Sequence, residues 1–402
     1  MQDSEITGQF DDIRPYHDGE VAAVMARLMA DREMADTILS MMYPRAARYL
    51  GWALRPLVRR RLRREFGAIR TVREFQLLIG HQLEALLARG NTRFTVSGLE
   101  QLDPRGAYLF ISNHRDIAMD PAFVNLARHQ RGMDTVRIAI GDNLLSKPFA
   151  SDLMRINKSF IVKRSATGRR EKLAALTTLS RYIRHSILVD RACVWIAQRE
   201  GRAKNGVDRT ETALVKMLAL GRDRAQPFGE AIAALNLVPV SIAYCFDPCD
   251  LDKARELHER ETTGSYQKRP HEDLASIYKG IVGDKGAVHV AFGEPLAAPL
   301  ADDDEVAAWL DRQIVGRYRL QPTNLIAWRR LHGDHPRVAA WAGAIDCDWG
   351  AMEAALLARI AGESEGVAQI FLAMYANPVQ SLLDLDLDPL DPGPLHPAPE
   401  GP

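Results

Sequence analysis

A histidine with two nearby carboxylates is the segment best suited to acid–base chemistry. In Phe110-Ile-Ser-Asn-His-Arg-Asp-Ile-Ala-Met-Asp, an apolar run leads into His114, and Asp116 and Asp120 follow two and six positions later. An imidazole can take a proton from a hydroxyl group while a carboxylate fixes its tautomer and stabilises the imidazolium. Two interpretations stay open on these residues alone. One is a catalytic pair; the other is a buried histidine, with Asp120 capping a helix that opens near Pro121.

The elements that must position this pair have an α/β pattern. From Asn91 onward, short strand-like segments alternate with helices, which predicts a mostly parallel sheet flanked by helices. Functional groups in such folds gather at the carboxyl ends of strands, where His114 falls. The predicted strands are Arg93–Val96, Ala107–Ser112, Thr135–Ile140, Phe160–Val162, Cys193–Ala197, Leu237–Cys245 and Val288–Phe292.

Changes in residue pattern divide the 402-residue chain into four parts. Residues 1–90 are predicted to be a helical N-terminal region with a basic amphipathic segment, and residues 91–300 an α/β domain. Residues 301–385 return to a helical pattern. Residues 386–402 are rich in Pro, Asp and Gly and are predicted to be a disordered tail.

Four blocks, in order along the chain, give the sequence a family resemblance. The block around His114 is followed by Phe160-Ile-Val-Lys-Arg, Ile196-Ala-Gln-Arg-Glu-Gly-Arg and Val238-Pro-Val-Ser-Ile. Together they resemble the glycerolipid acyltransferase superfamily, which includes the glycerol-3-phosphate and lysophosphatidic acid acyltransferases. The resemblance extends over roughly 200 residues. It implies a glycerol-3-phosphate acyltransferase-like α/β fold for this part of the chain.

The resemblance also implies a reaction. An acyl group would pass from a thioester, either acyl-CoA or acyl-carrier protein, to the hydroxyl group of lysophosphatidic acid in phospholipid biosynthesis; glycerol 3-phosphate is the alternative acceptor. Direct attack by the acceptor needs no nucleophile from the enzyme, no metal and no cofactor, and the sequence has no Gly-x-Ser-x-Gly turn. A non-catalytic lipid-binding module at the membrane surface is the alternative from another functional class.

The spacing of the acidic residue departs from the family pattern. The superfamily block usually has its acid five positions after the histidine, where this chain has Met119. Asp120, one position further, is therefore the expected partner of His114, and Asp116 is the other catalytic candidate. The irregular spacing from histidine to acid also favours the alternative of a non-catalytic lipid-binding module, since it would be the sign of lost chemistry.

Basic residues at two predicted strand ends are suited to an acceptor phosphate, because guanidinium and ammonium groups bind phosphate oxygens well. The position of the family arginine in the third block matches either Arg202 or Lys204. The full set of expected phosphate-binding residues is Arg115, Lys163, Arg164, Glu200, Gly201, Arg202 and Lys204.

Positive charge is concentrated in one N-terminal segment. The chain has 52 basic and 52 acidic residues, so it has no overall positive field for nucleic acid. Residues 45–64 nevertheless contain eight arginines and no acid, mixed with apolar residues. This mixture favours an amphipathic helix on an anionic membrane; a solvated arginine face on a packed helix is the alternative. The expected membrane contacts are Trp52, Arg55, Arg59, Arg60, Arg61, Arg63 and Arg64.

The remaining features of the sequence bear on where in the cell the protein resides. Four scattered cysteines do not form a disulfide framework, which favours a reducing compartment. The N-terminus is acidic rather than basic, and no near-continuous apolar stretch of about 20 residues is present. We therefore expect a peripheral protein on the cytoplasmic face of the membrane.

Overall fold

The computed structural model describes residues 8–42, 44–90, 92–145, 147–269 and 271–390; the side chains of residues 41–53 lie outside the description. The chain begins with helices and then alternates between strands and helices. The helices before the first strand are α1 (Asp18–Ala30), α2 (Arg32–Met42), α3 (Pro44–Phe66) and α4 (Val72–Arg89).

Strands and helices alternate in the central part, and helices alone follow. The central elements are β1 (Arg93–Ser97), β2 (Leu109–Ser112), α5 (Met119–Gln130), β3 (Arg137–Gly141), α6 (Pro148–Ile156), β4 (Ser159–Val162), α7 (Arg169–Leu188), β5 (Val194–Ala197), α8 (Thr212–Ala219), α9 (Phe228–Ala233), β6 (Leu237–Tyr244), α10 (Asp250–Thr263), α11 (Glu272–Val282) and β7 (Ala287–Phe292). The C-terminal helices are α12 (Asp303–Gly316), α13 (Pro322–His332), α14 (Pro336–Gly343), α15 (Trp349–Ala358) and α16 (Glu365–Asp384).

The described residues form two compact units that are interleaved along the chain. The first contains the residues up to 85 together with 137–182, and the second contains residues 86–136 and those from 183 onward. The domain boundaries expected from the sequence, after residues 90, 300 and 385, stay predictions, because the units do not follow one another in the sequence.

The first unit has a helical core and a short parallel strand pair. In α1, apolar side chains at Val21, Val24, Met25 and Leu28 lie on one helical face, and all four are buried. They pack in a cluster with Leu62 of α3, Phe75 of α4 and Ile156 of α6. Strands β3 and β4 pair in parallel.

The second unit contains strands in the order β1-β7-β6-β2-β5. The pairs β1–β7, β2–β5 and β2–β6 are parallel, and β6–β7 is antiparallel. Every residue of β2 and β6 is buried, as a strand covered on both faces requires. The predicted α/β class with a mostly parallel sheet is confirmed.

The C-terminal helices of the second unit pack around an apolar cluster. Phe371 and Tyr375 of α16 lie against Leu325 and Trp328 of α13 and against Phe246, just after β6. Just beyond α16, the backbone carbonyl of Leu387 and the carboxylates of Asp386 and Asp388 accept hydrogen bonds from Arg337 of α14. Most of the predicted disordered tail, residues 391–402, lies outside the described residues.

Candidate active site

Hydrogen bonds to Asn113 fix the end of β2, where the histidine segment begins. The Asn113 side chain accepts from the N–H of Ile242 at 2.8 Å and donates to the carbonyl of the same residue at 3.0 Å. Ile242 belongs to β6, the strand paired with β2. These two bonds extend the connection between the strands beyond the last residue of β2, so that His114 starts from a fixed position.

His114 and Asp120 form a hydrogen-bonded pair. Nδ1 of His114 lies 2.8 Å from Oδ2 of Asp120. The carboxylate is fully buried, whereas the imidazole side chain is 14% exposed. Among the described residues, Nε2 of His114 has no hydrogen-bond partner. With Nδ1–H donating to Asp120, the lone pair of Nε2 can accept a proton from a substrate.

Asp120 accepts three further hydrogen bonds. Its Oδ2 accepts from the backbone N–H groups of Arg115 at 2.6 Å and Asp116 at 3.0 Å, and its Oδ1 accepts from the Tyr244 hydroxyl at 2.6 Å. Burial acts to raise the pKa of Asp120, but the hydrogen bonds from His114 and Tyr244 and the charge of His114 hold it below its usual value. The loop therefore folds around the carboxylate, which accommodates the extra residue between His114 and Asp120.

Asp116 faces the start of α5 rather than the imidazole. Its Oδ1 accepts from the N–H groups of Ala118 and Met119 at 2.9 and 2.8 Å. Burial, followed by the charge of Asp120, raises the pKa of Asp116. The alternative in which Asp120 caps a helix near Pro121 is thereby corrected: α5 begins at Met119, and Asp116 binds its free N–H groups.

Arg115 is bound within the second unit. Its guanidinium forms two hydrogen bonds to the Asp208 carboxylate, at 2.6 and 2.7 Å, and another to the carbonyl of Gly206 at 3.1 Å. Burial acts to lower the pKa of Arg115, but the charge of Asp208 outweighs it and raises the pKa. The guanidinium is thus bound inside the protein, and the expected contact of Arg115 with an acceptor phosphate stays a prediction.

The loop after β5 meets the histidine segment. The N–H of Ala203 donates to the carbonyl of His114 at 2.8 Å. Just before it, Gly201 has a φ of +74°, a conformation that glycine adopts without steric strain. The half-buried Arg202 next to it makes no hydrogen bond or salt bridge among the described residues. The unpaired guanidinium of Arg202 therefore belongs to the residue next to Ala203, which binds the carbonyl of His114.

The other residues of this loop are already paired or exposed. Lys204 forms a salt bridge with Glu256 of α10. Burial lowers the pKa of Lys204, and the charge of nearby Arg202 adds to this effect. Glu200 is exposed, and its backbone N–H donates to Glu211 at 3.2 Å. Of the two matches to the family arginine, Arg202 is therefore the residue available to a ligand.

Comparison with known proteins finds a family model that matches the part of the chain containing these residues. Residues 93–218, which include the His114–Asp120 pair and the loop after β5, match the model of the Acyltransferase family. This part of the chain is therefore similar to the Acyltransferase family. One similar solved structure is the 1-acyl-sn-glycerophosphate (LPA) acyltransferase PlsC from Thermotoga maritima, with 14% identity and a TM-score of 0.35 over 70% of this chain and 94% of that chain. No curated protein sequence matches.

Two of the expected phosphate ligands, Lys163 and Arg164, belong to the first unit. Lys163 forms a salt bridge with Asp12. The backbone N–H of Arg164 donates to Asp142 at 3.1 Å. The remaining expected ligands lie in the second unit with His114.

The arginines of α3 divide into two groups. Arg55 forms a salt bridge with Asp36, and Arg59 donates to the carbonyl of Ala30 at 3.0 Å, so both contact neighbouring helices of the first unit. Arg61 pairs with Glu65 on the same helix. The exposed members of the expected set are Arg60, Arg61, Arg63 and Arg64. The side chain of Trp52 lies outside the described residues.

Leu57 lies on the exposed side of α3 and is 65% exposed. It shares a helical face with Arg60, Arg61 and Arg64 at spacings of three, four and seven residues.

Within the described part of the chain, no helix has both the length and the apolar character required to cross a bilayer.

Several residues that support the His114–Asp120 pair have no sequence signal of the kind used above. Tyr244 ends β6, so its position at the carboxyl end of a strand beside β2 was the one available indication. Asp208, the partner of Arg115, lies in a loop, and Lys253, whose Nζ donates to the carbonyl of Arg115, lies on a strongly charged helix. From the sequence around them, neither residue can be distinguished from an ordinary charged residue on the surface.

Proposed function

We propose that this protein transfers a fatty acyl group from a thioester to the free hydroxyl group of lysophosphatidic acid in phospholipid biosynthesis. Acyl-CoA or acyl-carrier protein is the proposed donor, and glycerol 3-phosphate is the alternative acceptor. The observation that carries the proposal is the buried Asp120 carboxylate holding Nδ1 of His114, while Nε2 is left without a partner among the described residues. The proposed reaction uses no metal or cofactor.

The proposed reaction has two proton transfers and one acyl transfer. Nε2 of His114 takes the proton of the acceptor hydroxyl as its oxygen attacks the thioester carbonyl carbon, and Asp120 stabilises the imidazolium. The tetrahedral intermediate then collapses and the carbon–sulfur bond breaks. The imidazolium gives its proton to the leaving thiolate, so the products are an ester and a free thiol, and His114 returns to its starting state.

Arg202 is the proposed principal ligand of the acceptor phosphate. Its guanidinium has no hydrogen bond or salt bridge among the described residues, and a guanidinium can bind two phosphate oxygens at once. Glu200 and Gly201 are proposed to shape this loop, with Lys204 adding positive charge beside Arg202. Lys163 and Arg164 stay proposed as a second pair of cationic ligands.

We propose that the protein acts while bound to the cytoplasmic face of an anionic membrane. A lysophospholipid acceptor resides in the membrane, so its hydroxyl group reaches the enzyme at the lipid surface. The exposed face of α3 formed by Leu57, Arg60, Arg61 and Arg64 has the apolar and basic groups that such contact requires. This face supports the membrane part of the proposal.

The proposal is tested by measuring thiol release from palmitoyl-CoA and from palmitoyl-acyl-carrier protein, each with lysophosphatidic acid or glycerol 3-phosphate. We expect release that depends on one acceptor, and at least a roughly 100-fold lower rate for His114→Ala, because the variant has no general base. The acceptor that supports turnover identifies the substrate class.

His129→Ala is the matched control, since His129 lies near the opposite end of α5 from Asp120. It is expected to retain the wild-type rate. Thiol release equal in wild type and His114→Ala, with both donors and both acceptors, would contradict the proposal. If wild type then still bound lysophospholipid vesicles, the non-catalytic binding module would be favoured.

A further inference from the structure

Each of the two peptide groups that follow His114 is hydrogen bonded through both its carbonyl and its N–H. The carbonyl of His114 accepts from Ala203, and the N–H of the same peptide group, on Arg115, donates to Asp120 at 2.6 Å. The next carbonyl, on Arg115, accepts from Nζ of Lys253 at 2.6 Å, and its N–H, on Asp116, donates to Asp120 at 3.0 Å. The orientation of each peptide plane is therefore fixed by a donor outside the segment.

Lys253 is an unusual donor because its ammonium is buried. The residue is 1% exposed, and its other partner is the carboxylate of Asp247. A buried charge is tolerated only when it is paired and hydrogen bonded, so the Arg115 carbonyl and the Asp247 carboxylate together account for its position.

The C-terminal helices hold the start of α10, which carries Lys253. The N–H of Asp247 donates to the Tyr375 hydroxyl at 2.9 Å, and this hydroxyl donates to Asp250 at 2.7 Å. The Asp250 carboxylate also accepts from Arg359 at 2.7 and 3.0 Å. Helices α15 and α16 are thus connected to the histidine segment through Asp247 and Lys253.

The same face of α10 supports the second loop of the site. Glu256 lies three residues after Lys253, which places the two side chains on one side of the helix. Glu256 pairs with Lys204, in the loop whose Ala203 binds the carbonyl of His114. One helix therefore contacts both segments that meet at the histidine.

We propose that Lys253 is a positioning residue for the His114–Asp120 pair, an inference that rests on the proposed acyl transfer. Without the ammonium, the Arg115 carbonyl is buried without its donor, and the peptide group is free to rotate. The Asp116 N–H then leaves Asp120, and the carboxylate no longer holds the imidazole in one orientation. The titratable groups with an electrostatic or hydrogen-bonding effect on Asp120, or affected by it, include His114, Asp116, Asp208 and Tyr244.

The test compares Lys253→Met with Lys285→Met. Lys285 is a matched control, because it is 2% exposed and its Nζ also binds backbone carbonyls, those of Ile281 and Gly283. We expect Lys253→Met to lower kcat about 10- to 100-fold, with KM for acceptor and donor within about twofold, because a misplaced base slows chemistry. Lys285→Met is expected to lower thermal stability comparably and to leave kcat within about threefold of wild type.

A double variant keeps the test informative if Lys253→Met does not fold. Lys253→Met/Asp247→Asn removes both charges, and its amide oxygen can still accept from the N–H of Cys249. We expect this protein to fold, with kcat as low as in the single variant. Wild-type kcat in the folded double variant, or equal kcat losses in Lys253→Met and Lys285→Met, would overturn the proposal.

Hydrogen–deuterium exchange of a peptide spanning residues 113–118 tests the inference without turnover. The amide of Asp116 is expected to exchange faster in Lys253→Met or the double variant, and at the wild-type rate in Lys285→Met. Unchanged exchange overturns the role of Lys253. Absence of wild-type turnover contradicts the proposed function instead, so the two failures are distinguishable.

Discussion

At the residue scale, the main chain supplies part of the hydrogen bonding that holds the Asp120 carboxylate. Two of its four hydrogen bonds come from backbone N–H groups, those of Arg115 and Asp116. Bonds of this kind favour the ionised carboxylate, in keeping with its lowered pKa. An ionised Asp120 can hold Nδ1–H of His114 and stabilise the imidazolium that forms when the base takes a proton.

Arg202 provides a prediction at this scale. Arg202→Met is expected to lower kcat/KM for a phosphate-bearing acceptor about 10- to 100-fold, mainly through KM, because a hydrogen bond to a charged group contributes about 1.5–3 kcal/mol. Arg202→Lys is expected to recover part of this loss, since an ammonium binds phosphate without the paired geometry of guanidinium. Initial rates at varied acceptor concentration provide the measurement.

Arg209→Met is the control for Arg202, because Arg209 is exposed and lies further along the same loop. Its acceptor KM is expected to match wild type. An acceptor KM that is unchanged in Arg202→Met would remove Arg202 from the phosphate site.

The partner of a residue is easier to predict from the sequence when it lies nearby along the chain than when it lies far away. His114 and Asp120 are six positions apart within one block, and the resemblance of that block to the superfamily pattern made Asp120 the expected partner. The partner of Arg115 is Asp208, far along the chain, and no local pattern distinguishes this internal guanidinium from one that binds a ligand.

At the element scale, the predicted strands were recovered because buried parallel strands are short apolar runs between turn signals. All seven predicted strands overlap the observed β1 to β7. Helix α10 differs, since its sequence is dense in Asp, Glu and Arg and resembles a solvated helix. The burial of Lys253 and Glu256 on it follows from tertiary contacts that the pattern does not contain.

Helix α3 provides the prediction at the element scale. Reversing two exposed charges, Arg60→Glu/Arg64→Glu, is expected to weaken binding to vesicles containing anionic phosphatidylglycerol by about 30-fold or more. Each basic residue near such a surface contributes about 1 kcal/mol, and the added acids are repelled. Co-sedimentation at low and high salt measures the change.

Arg169→Glu/Arg170→Glu changes the net charge by the same amount at exposed positions at the start of α7. This control is expected to bind vesicles as wild type does. Equal binding by wild type and the α3 variant would show that α3 does not contact the membrane.

At the scale of the whole molecule, stability should depend on pH through His289. Nδ1 of His289 lies 2.8 Å from the Thr95 hydroxyl, and Nε2 lies 2.9 Å from the Ser97 hydroxyl. Burial, with a smaller effect from Arg319, lowers the pKa of His289 from 6.5 to about 3. The unfolded chain therefore binds this proton first, and the neutral imidazole stabilises the fold above pH 6.5.

This contribution is lost as the pH falls from 6.5 towards 3. At pH 5 the expected loss is about 2 kcal/mol, since each pKa unit corresponds to about 1.4 kcal/mol. His289→Gln cannot titrate, so its free energy of unfolding should decrease by about 2 kcal/mol less than that of wild type between pH 7.5 and pH 5. Denaturant titrations at both pH values measure this, and parallel decreases in the two proteins would refute it.

The connection from Tyr375 to the histidine segment also sets the order of events during protein synthesis. Translation adds about 5–20 residues per second, so His114 is made roughly 13–50 s before Tyr375. During that interval the nascent chain has the base and its carboxylate, but not the helix that anchors Asp247 and the start of α10. If a ribosome-bound chain is assayed, the proposed acyl transfer is expected only after Tyr375 has emerged, which separates catalysis from the early steps of folding.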